Sequence, residues 1–194
     1  MKSIPWWQSA RDGNVPLPYM LIDCAGFEGG VDDLPRAAFS ELECLFTGDL
    51  SEELADVGGY LGRLASWGDG DQAIVIDLLT RQLGVLLTLG ESDASSAKAG
   101  RHASSTTFSQ LHRHLRKFNV VYGPEGQPLF FRYYDPRALP GVLRVLDGKQ
   151  LDSFYGPIDS VVVFDELQGL VRMTVSNGNF EEVRFPWAGE RLAI

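Results

Sequence analysis

The sequence predicts an α+β fold, with a mixed β-sheet flanked by helices and a C-terminal β-hairpin. Three observations carry this. Strand-like segments rich in apolar residues stand at 19–24 and 159–164, the second around the unbroken apolar run 161–164, and apolar residues recur at helical spacing over 69–83 and 108–118. Two alternating segments also flank an Asn-Gly pair at 177–178, a strong hairpin signal. Strands and helices mix without a regular βαβ period and no internal repeat is visible, which separates the chain from doubly wound folds. At 194 residues with 44% apolar side chains, the chain has the size of one domain with a real core.

Taken in order, residues 1–18 form an N-terminal segment containing Trp6 and Trp7. Tyr19 to Cys24 reads as a buried strand between Pro18 and Gly26. Val31 to Phe46 carries Leu34, Ala38, Leu42, Leu45 and Phe46 at helical spacing, with Pro35 in the first turn, and predicts a helix ended by Gly48. Ser51 to Leu54 starts a short helix, and Gly59 to Ala65 is a second strand. Asp69 to Leu83 predicts an amphipathic helix with Ile74, Leu78, Leu79 and Leu83 on one face, capped by Asp69 or Asp71. Val85 to Leu89 follows as a strand. Residues 90–105, rich in Ser, Ala and Gly, read as a surface loop. Thr106 or Thr107 caps a helix running to Lys117, with Phe108, Leu111, Leu115 and Phe118 as its apolar stripe and His112, Arg113, His114, Arg116 and Lys117 on a basic outer face.

Asn119 to Tyr122 and Leu129 to Tyr134 pair as a hairpin across Gly-Pro-Glu-Gly-Gln-Pro. Asp135 and Pro136 supply the cap and first position of a helix that Pro140 and Gly141 interrupt. Asp147 to Phe154 is another short helix, Asp159 to Phe164 a strand, and 170–175 pairs with 180–185.

Composition excludes several classes. No apolar run approaches the roughly 18–20 residues of a membrane span, and no secretory signal is visible in the first residues. Two cysteines, Cys24 and Cys44, fit no zinc pattern and read as buried thiols of a reducing cytoplasm, with a bridge between them as the open alternative. The 17 basic and 26 acidic residues give a net charge of −9. Residues 1–97 hold 5 against 16 (−11) and residues 98–194 hold 12 against 10 (+2). An acidic first half disfavours binding to a phosphate backbone.

Chemistry-bearing motifs are few. No G-x-S-x-G, Walker or G-x-G-x-x-G pattern occurs. His112 and His114, two apart on a predicted helix, diverge too far to share a metal, so no metal or cofactor site is expected. The densest stretch is Leu129 to Arg137, where Phe131, Tyr133 and Asp135 alternate with Phe130, Arg132 and Tyr134. A buried Arg132 needs a carboxylate or carbonyl partner. Two readings stay open: a structural strand-to-helix corner held by a cap and an ion pair, or a recognition or active-site corner.

The segment Phe131-Arg-Tyr-Tyr-Asp-Pro-Arg137 closely resembles the F-R-F-Y-D-P-R signature of the type VI secretion effector-chaperone family, catalogued as domain of unknown function 4123. Residues 19–26 (YMLIDCAG) are similar to the family's opening strand. ECLFTG at 43–48 and LADVGGYLGRL at 54–64 resemble its core, with Gly59 where proline is common. Residues 111–117 and LDSFYGPIDSVVVFDE at 151–166 resemble the helix before the signature and the closing segment. The resemblance covers about residues 19–166 and defines an effector-chaperone-like domain, with 167–194 as a short hairpin extension packed on it. Loop 90–105 is longer than usual for the family and the C-terminal extension is shorter.

The resemblance implies a cytoplasmic, non-enzymatic adaptor. Its partners would be a secreted effector, bound as cargo, and the VgrG spike, with no cofactor and no nucleic acid. The signature maps onto Arg132, Tyr134, Asp135, Pro136 and Arg137 as partner-binding or structural residues. A binding protein needs exposed apolar anchors, and Trp6, Trp7, Phe180, Phe185 and Trp187 near the termini are the candidates. The alternative is a small hydrolase-like enzyme or a ligand-binding domain using Arg132, Tyr134 and Asp135, with His114 as a further candidate.

Overall fold

The computed structural model describes residues 17–89, 106–176 and 178–187. Strands β1 (Tyr19–Asp23), β2 (Phe39–Cys44), β3 (Gly59–Leu64), β4 (Gly84–Leu89), β7 (Ile158–Asp165), β8 (Gly169–Ser176) and β9 (Asn179–Phe185) form one sheet in the order β2-β3-β1-β4-β7-β8-β9. A separate ribbon joins β5 (Val120–Tyr122) to β6 (Pro128–Phe130). The helices are α1 (Asp49–Leu54), α2 (Asp69–Thr80), α3 (Phe108–Arg116), α4 (Leu139–Leu143) and α5 (Gly148–Tyr155). The α+β class and the C-terminal hairpin are as the sequence predicts. Each pairing in the sheet is antiparallel, a more uniform arrangement than mixed.

The sheet is covered on both faces, which is why β1 is apolar from Tyr19 to Ile22 and buried at all five positions, Asp23 included. Tyr19 and Leu21 face one core with Leu61, Val85, Leu87, Val161 and Val163, packed under α3, α4 and α5 through Leu111, Leu115, Leu139, Leu143, Leu151 and Phe154. Met20 and Ile22 face a second core with Leu64, Leu86 and Val162, closed by Val75, Leu78 and Leu79 of α2 and by Phe27, Leu34 and Trp67. Fully burying a leucine or valine is worth about 1.5–3 kcal/mol, so the two cores hold the sheet from both sides.

Helix α3 starts as expected. Thr107 Oγ1 accepts from Gln110 N and Gln110 Oε1 from Thr107 N, a reciprocal capping box. Asp147 and Gln150 repeat the device on α5. Helix α2 ends at Thr80, and its N-terminus is closed by Asp71 Oδ2, which accepts from Gly68 N at 3.2 Å. Gln72 and Val75 join Leu78 and Leu79 on its buried face, whereas Ile74 is only half-buried.

Three expectations change. The predicted helix over Val31 to Phe46 is instead a pair of 3-10 turns (Gly30–Asp33 and Arg36–Ala38) followed by β2. The residues read as one helical stripe serve two cores: Leu34, Ala38 and Leu42 pack in the second, Leu45 and Phe46 in the first. A single helix face cannot reach both sides of a sheet. The strand predicted to Tyr134 stops at Phe130, because Tyr133 and Tyr134 are both buried and a strand would place them on opposite faces. The helix predicted from Asp135 begins at Leu139, with Pro140 and Gly141 inside it.

Candidate functional site

The loop from Phe131 to Ala138 carries the signature stretch back toward the end of β1. Its fold follows from its residues. Pro136 has no N–H to offer, so the Asp135 side chain reaches the next donor, with Oδ1 accepting from Arg137 N at 3.0 Å. The Asp135 carbonyl accepts from Ala138 N and Leu139 N at 3.1 and 3.0 Å, which starts α4. Tyr133 is fully buried and its hydroxyl donates to Asn119 Oδ1 at 3.0 Å. The Tyr134 ring sits edge-on to Phe46 and Tyr133, with centroids 6.3 and 5.7 Å away. It lies against Gly59, where a Cβ would stand 2.3 Å from Tyr134 Cδ1.

Two arginines and two aspartates close a ring of charges here. Arg132 Nη2 donates to Asp23 Oδ2 at 2.7 Å. Arg137 grips Asp135 with Nε on Oδ1 at 2.8 Å and Nη2 on Oδ2 at 2.9 Å, a two-point fork. Arg137 also stands 3.7 Å from Asp23, and Arg132 stands 3.9 Å from Asp135. The carboxylates point inward and the guanidiniums outward. The side chain of Asp23 is 1% exposed and that of Asp135 11%, against 44% for Arg132 and 57% for Arg137. Arg132 further lies over the Tyr134 ring, 5.8 Å from its centroid.

The two carboxyls titrate in opposite directions. Burial raises Asp23 and the neighbouring Asp135 adds to the rise, while Arg132 opposes both. Burial also works to raise Asp135, but the side-chain and backbone hydrogen bonds of Arg137 outweigh it and hold that carboxyl below its usual range. The Arg137 guanidinium is raised in turn, chiefly by its hydrogen bonds to Asp135.

Asp23 is the member of this ring that sequence reasoning missed. Its signal is a carboxylate ending an otherwise apolar, fully buried strand, which demands a partner; that partner lies 109 residues away. Asn119 was missed as well. Its Nδ2 donates to Leu45 O at 2.7 Å while its Oδ1 takes the Tyr133 hydroxyl, so it ties the corner to the end of β2.

Other expected site residues are placed differently. His112 is buried, not on an outer face; its Nε2 donates to Cys44 O at 2.8 Å and its ring stacks on Phe108. His114 is half-buried and donates from Nε2 to Phe154 O at 2.7 Å, which joins α3 to α5 rather than to the Asp135 corner. Desolvation lowers its pKa and Lys117 adds to the effect, against the Phe154 carbonyl. Helix α3 therefore spends its polar face on anchoring: His112, Arg116 (to Thr47 Oγ1) and Asn119 just beyond it hold the segment 44–47. Burial pushes the Cys24 thiol up to about 12, and both cysteines are free. Phe180 packs on the first core, whereas Phe185 and Trp187 pack on the second, so these three do not form one patch. An odd spacing of five along β9 puts Phe180 and Phe185 on opposite sheet faces. Trp6, Trp7 and the loop 90–105 lie outside the described residues.

The family model described as domain of unknown function, DUF4123, matches residues 18–153, from the start of β1 through the charge ring and into α5. The chain belongs to the DUF4123 family. This family is associated with type VI secretion effectors. No curated protein and no solved structure matches the chain.

Proposed function

We propose that this chain is a cytoplasmic, non-catalytic adaptor that binds a type VI secretion effector and helps load it onto the VgrG spike. The observation that carries the reading is the family match, which spans both halves of the charge ring, Asp23 and the Arg132 to Arg137 corner. The chemistry of the corner supports it. Both oxygens of Asp135 are gripped by Arg137 and the carboxyl is held low, a poor start for a general acid or base. His114, the other group of the hydrolase alternative, is committed to the Phe154 carbonyl. The outward guanidiniums suit a different task, which is holding carboxylates of a partner on a rigid base.

The test is co-expression with the protein encoded beside this one, followed by affinity capture and measurement of effector level and delivery after deletion. A stoichiometric complex, with lower effector abundance in the deletion strain, is expected. Unchanged effector level and delivery would overturn the adaptor role.

A further inference from the structure

The β5–β6 ribbon stands apart from the main sheet, and its six residues are all exposed. Five of them are large and apolar: Val120, Val121, Tyr122, Leu129 and Phe130, with Tyr122 74% and Phe130 63% exposed. An isolated two-stranded ribbon is marginally stable in water, and an apolar one invites a third strand.

The register shows what the ribbon offers. Phe131 N donates to Asn119 O at 3.0 Å and Gly123 N to Gln127 O at 2.9 Å, so Asn119/Phe131 and Gly123/Gln127 are hydrogen-bonded pairs. Antiparallel ladders alternate, which makes Val121/Leu129 bonded and leaves Val120/Phe130 and Tyr122/Pro128 non-bonded. Val120 and Tyr122 therefore turn their N–H and C=O groups away from β6. On the opposite edge Pro128 has no N–H, so β5 is the better template.

The ribbon itself carries little charge. Between Asn119 and Phe131 the one charged residue is Glu125, at the turn. Phe130 ends β6 with its ring against the buried Phe46, 6.4 Å between centroids, and two residues further on the chain reaches Arg132, which with Arg137 turns a partly exposed guanidinium outward at that end of the ribbon. We infer that β5 receives an extended segment of the effector, an added strand with alternating apolar residues and flanking acidic ones that meet these guanidiniums. This rests on the adaptor reading and names the surface it uses.

The test uses the whole chain with the effector encoded beside it. Amide exchange of the complex is expected to slow at Val120 and Tyr122, and Tyr122→Pro, which removes an outward N–H while sparing the ribbon's own bonds, is expected to weaken binding at least tenfold without changing the melting temperature. Phe130→Ser serves as a second variant should Tyr122→Pro perturb folding. Binding in which the variants match wild type and those amides stay unprotected would overturn the ribbon and leave the adaptor role standing. A wild-type chain that binds no effector would overturn both. Self-association abolished by Tyr122→Pro, with effector binding untouched, would assign the edge to a second copy and refute the inference.

Discussion

Replacing Arg132 by methionine tests whether the charge ring is a structural necessity. The substitution keeps most of the apolar stem and removes the cation that Asp23 meets at 2.7 Å. At that distance the gross attraction is about 6 kcal/mol for an effective dielectric constant of about 20. Two features reduce the net loss: Arg132 is 44% exposed and so partly screened, and Arg137 stays within 3.7 Å of the same carboxylate. Removing one partner of a fully buried pair costs about 3–5 kcal/mol, so about 2–3 kcal/mol is expected here at pH 7. For a chain of this size that is a drop of about 5–10 °C in melting temperature. The pH dependence carries the diagnosis. Burial already raises Asp23 in the folded protein, and without Arg132 it rises further. A raised folded pKa means that the folded state holds its proton more tightly, so the penalty is complete above that pKa and shrinks as acid protonates the carboxyl. Urea denaturation of both proteins at pH 7 and pH 4 reads this out, and Asp23→Asn combined with Arg132→Met is expected to recover part of the loss. A cost below about 0.5 kcal/mol, a level ordinary for surface changes, or one independent of pH, would refute the argument.

Further outcomes follow from other contacts. His114 has a lowered folded pKa, from burial first, so its contribution is complete above the unfolded value of about 6.5 and is lost as pH falls through it; His114→Gln is expected to flatten the stability profile between pH 7 and 5 in calorimetry. Asn119→Ala strips partners from both Leu45 O and the buried Tyr133 hydroxyl and is expected to cost about 2–3 kcal/mol in chemical denaturation, against about 1 kcal/mol for Tyr133→Phe. Gly62→Ala drives a Cβ to 2.5 Å from Phe39 Cδ1 in the middle of β3 and is expected to cost about 1–3 kcal/mol, relieved when Phe39 is also shortened to leucine.

Local signals in the sequence lead to elements that local chemistry decides. The Thr107 and Asp147 caps, the apolar runs of β1 and β7, and the turn between β8 and β9 depend on neighbours within a few residues. Residues 31–46 defeated the same reasoning because their apolar spacing imitates a helix while their partners in β3 lie about twenty positions on. Pairing across the sheet overrides local periodicity there. The signature corner shows the same limit. Arg132 announces that it needs a carboxylate, but several are available, and only the fold brings Asp23 to it. The outward edge of β5 depends on register, which a sequence with Pro-Glu-Gly-Gln at its turn does not fix by itself.

The DUF4123 match stops at residue 153, yet β7, the strand that pairs with β4, begins at Ile158. A fragment cut at the family boundary would leave β4 as a naked edge and strip Val161, Val163, Val171 and Met173 from the core beneath α5. Such a fragment is a recipe for aggregation during expression. The unit to clone, crystallise or swap between relatives extends through Phe185, because the seam between β4 and β7 makes the last three strands structural lining of the family domain rather than an accessory to it.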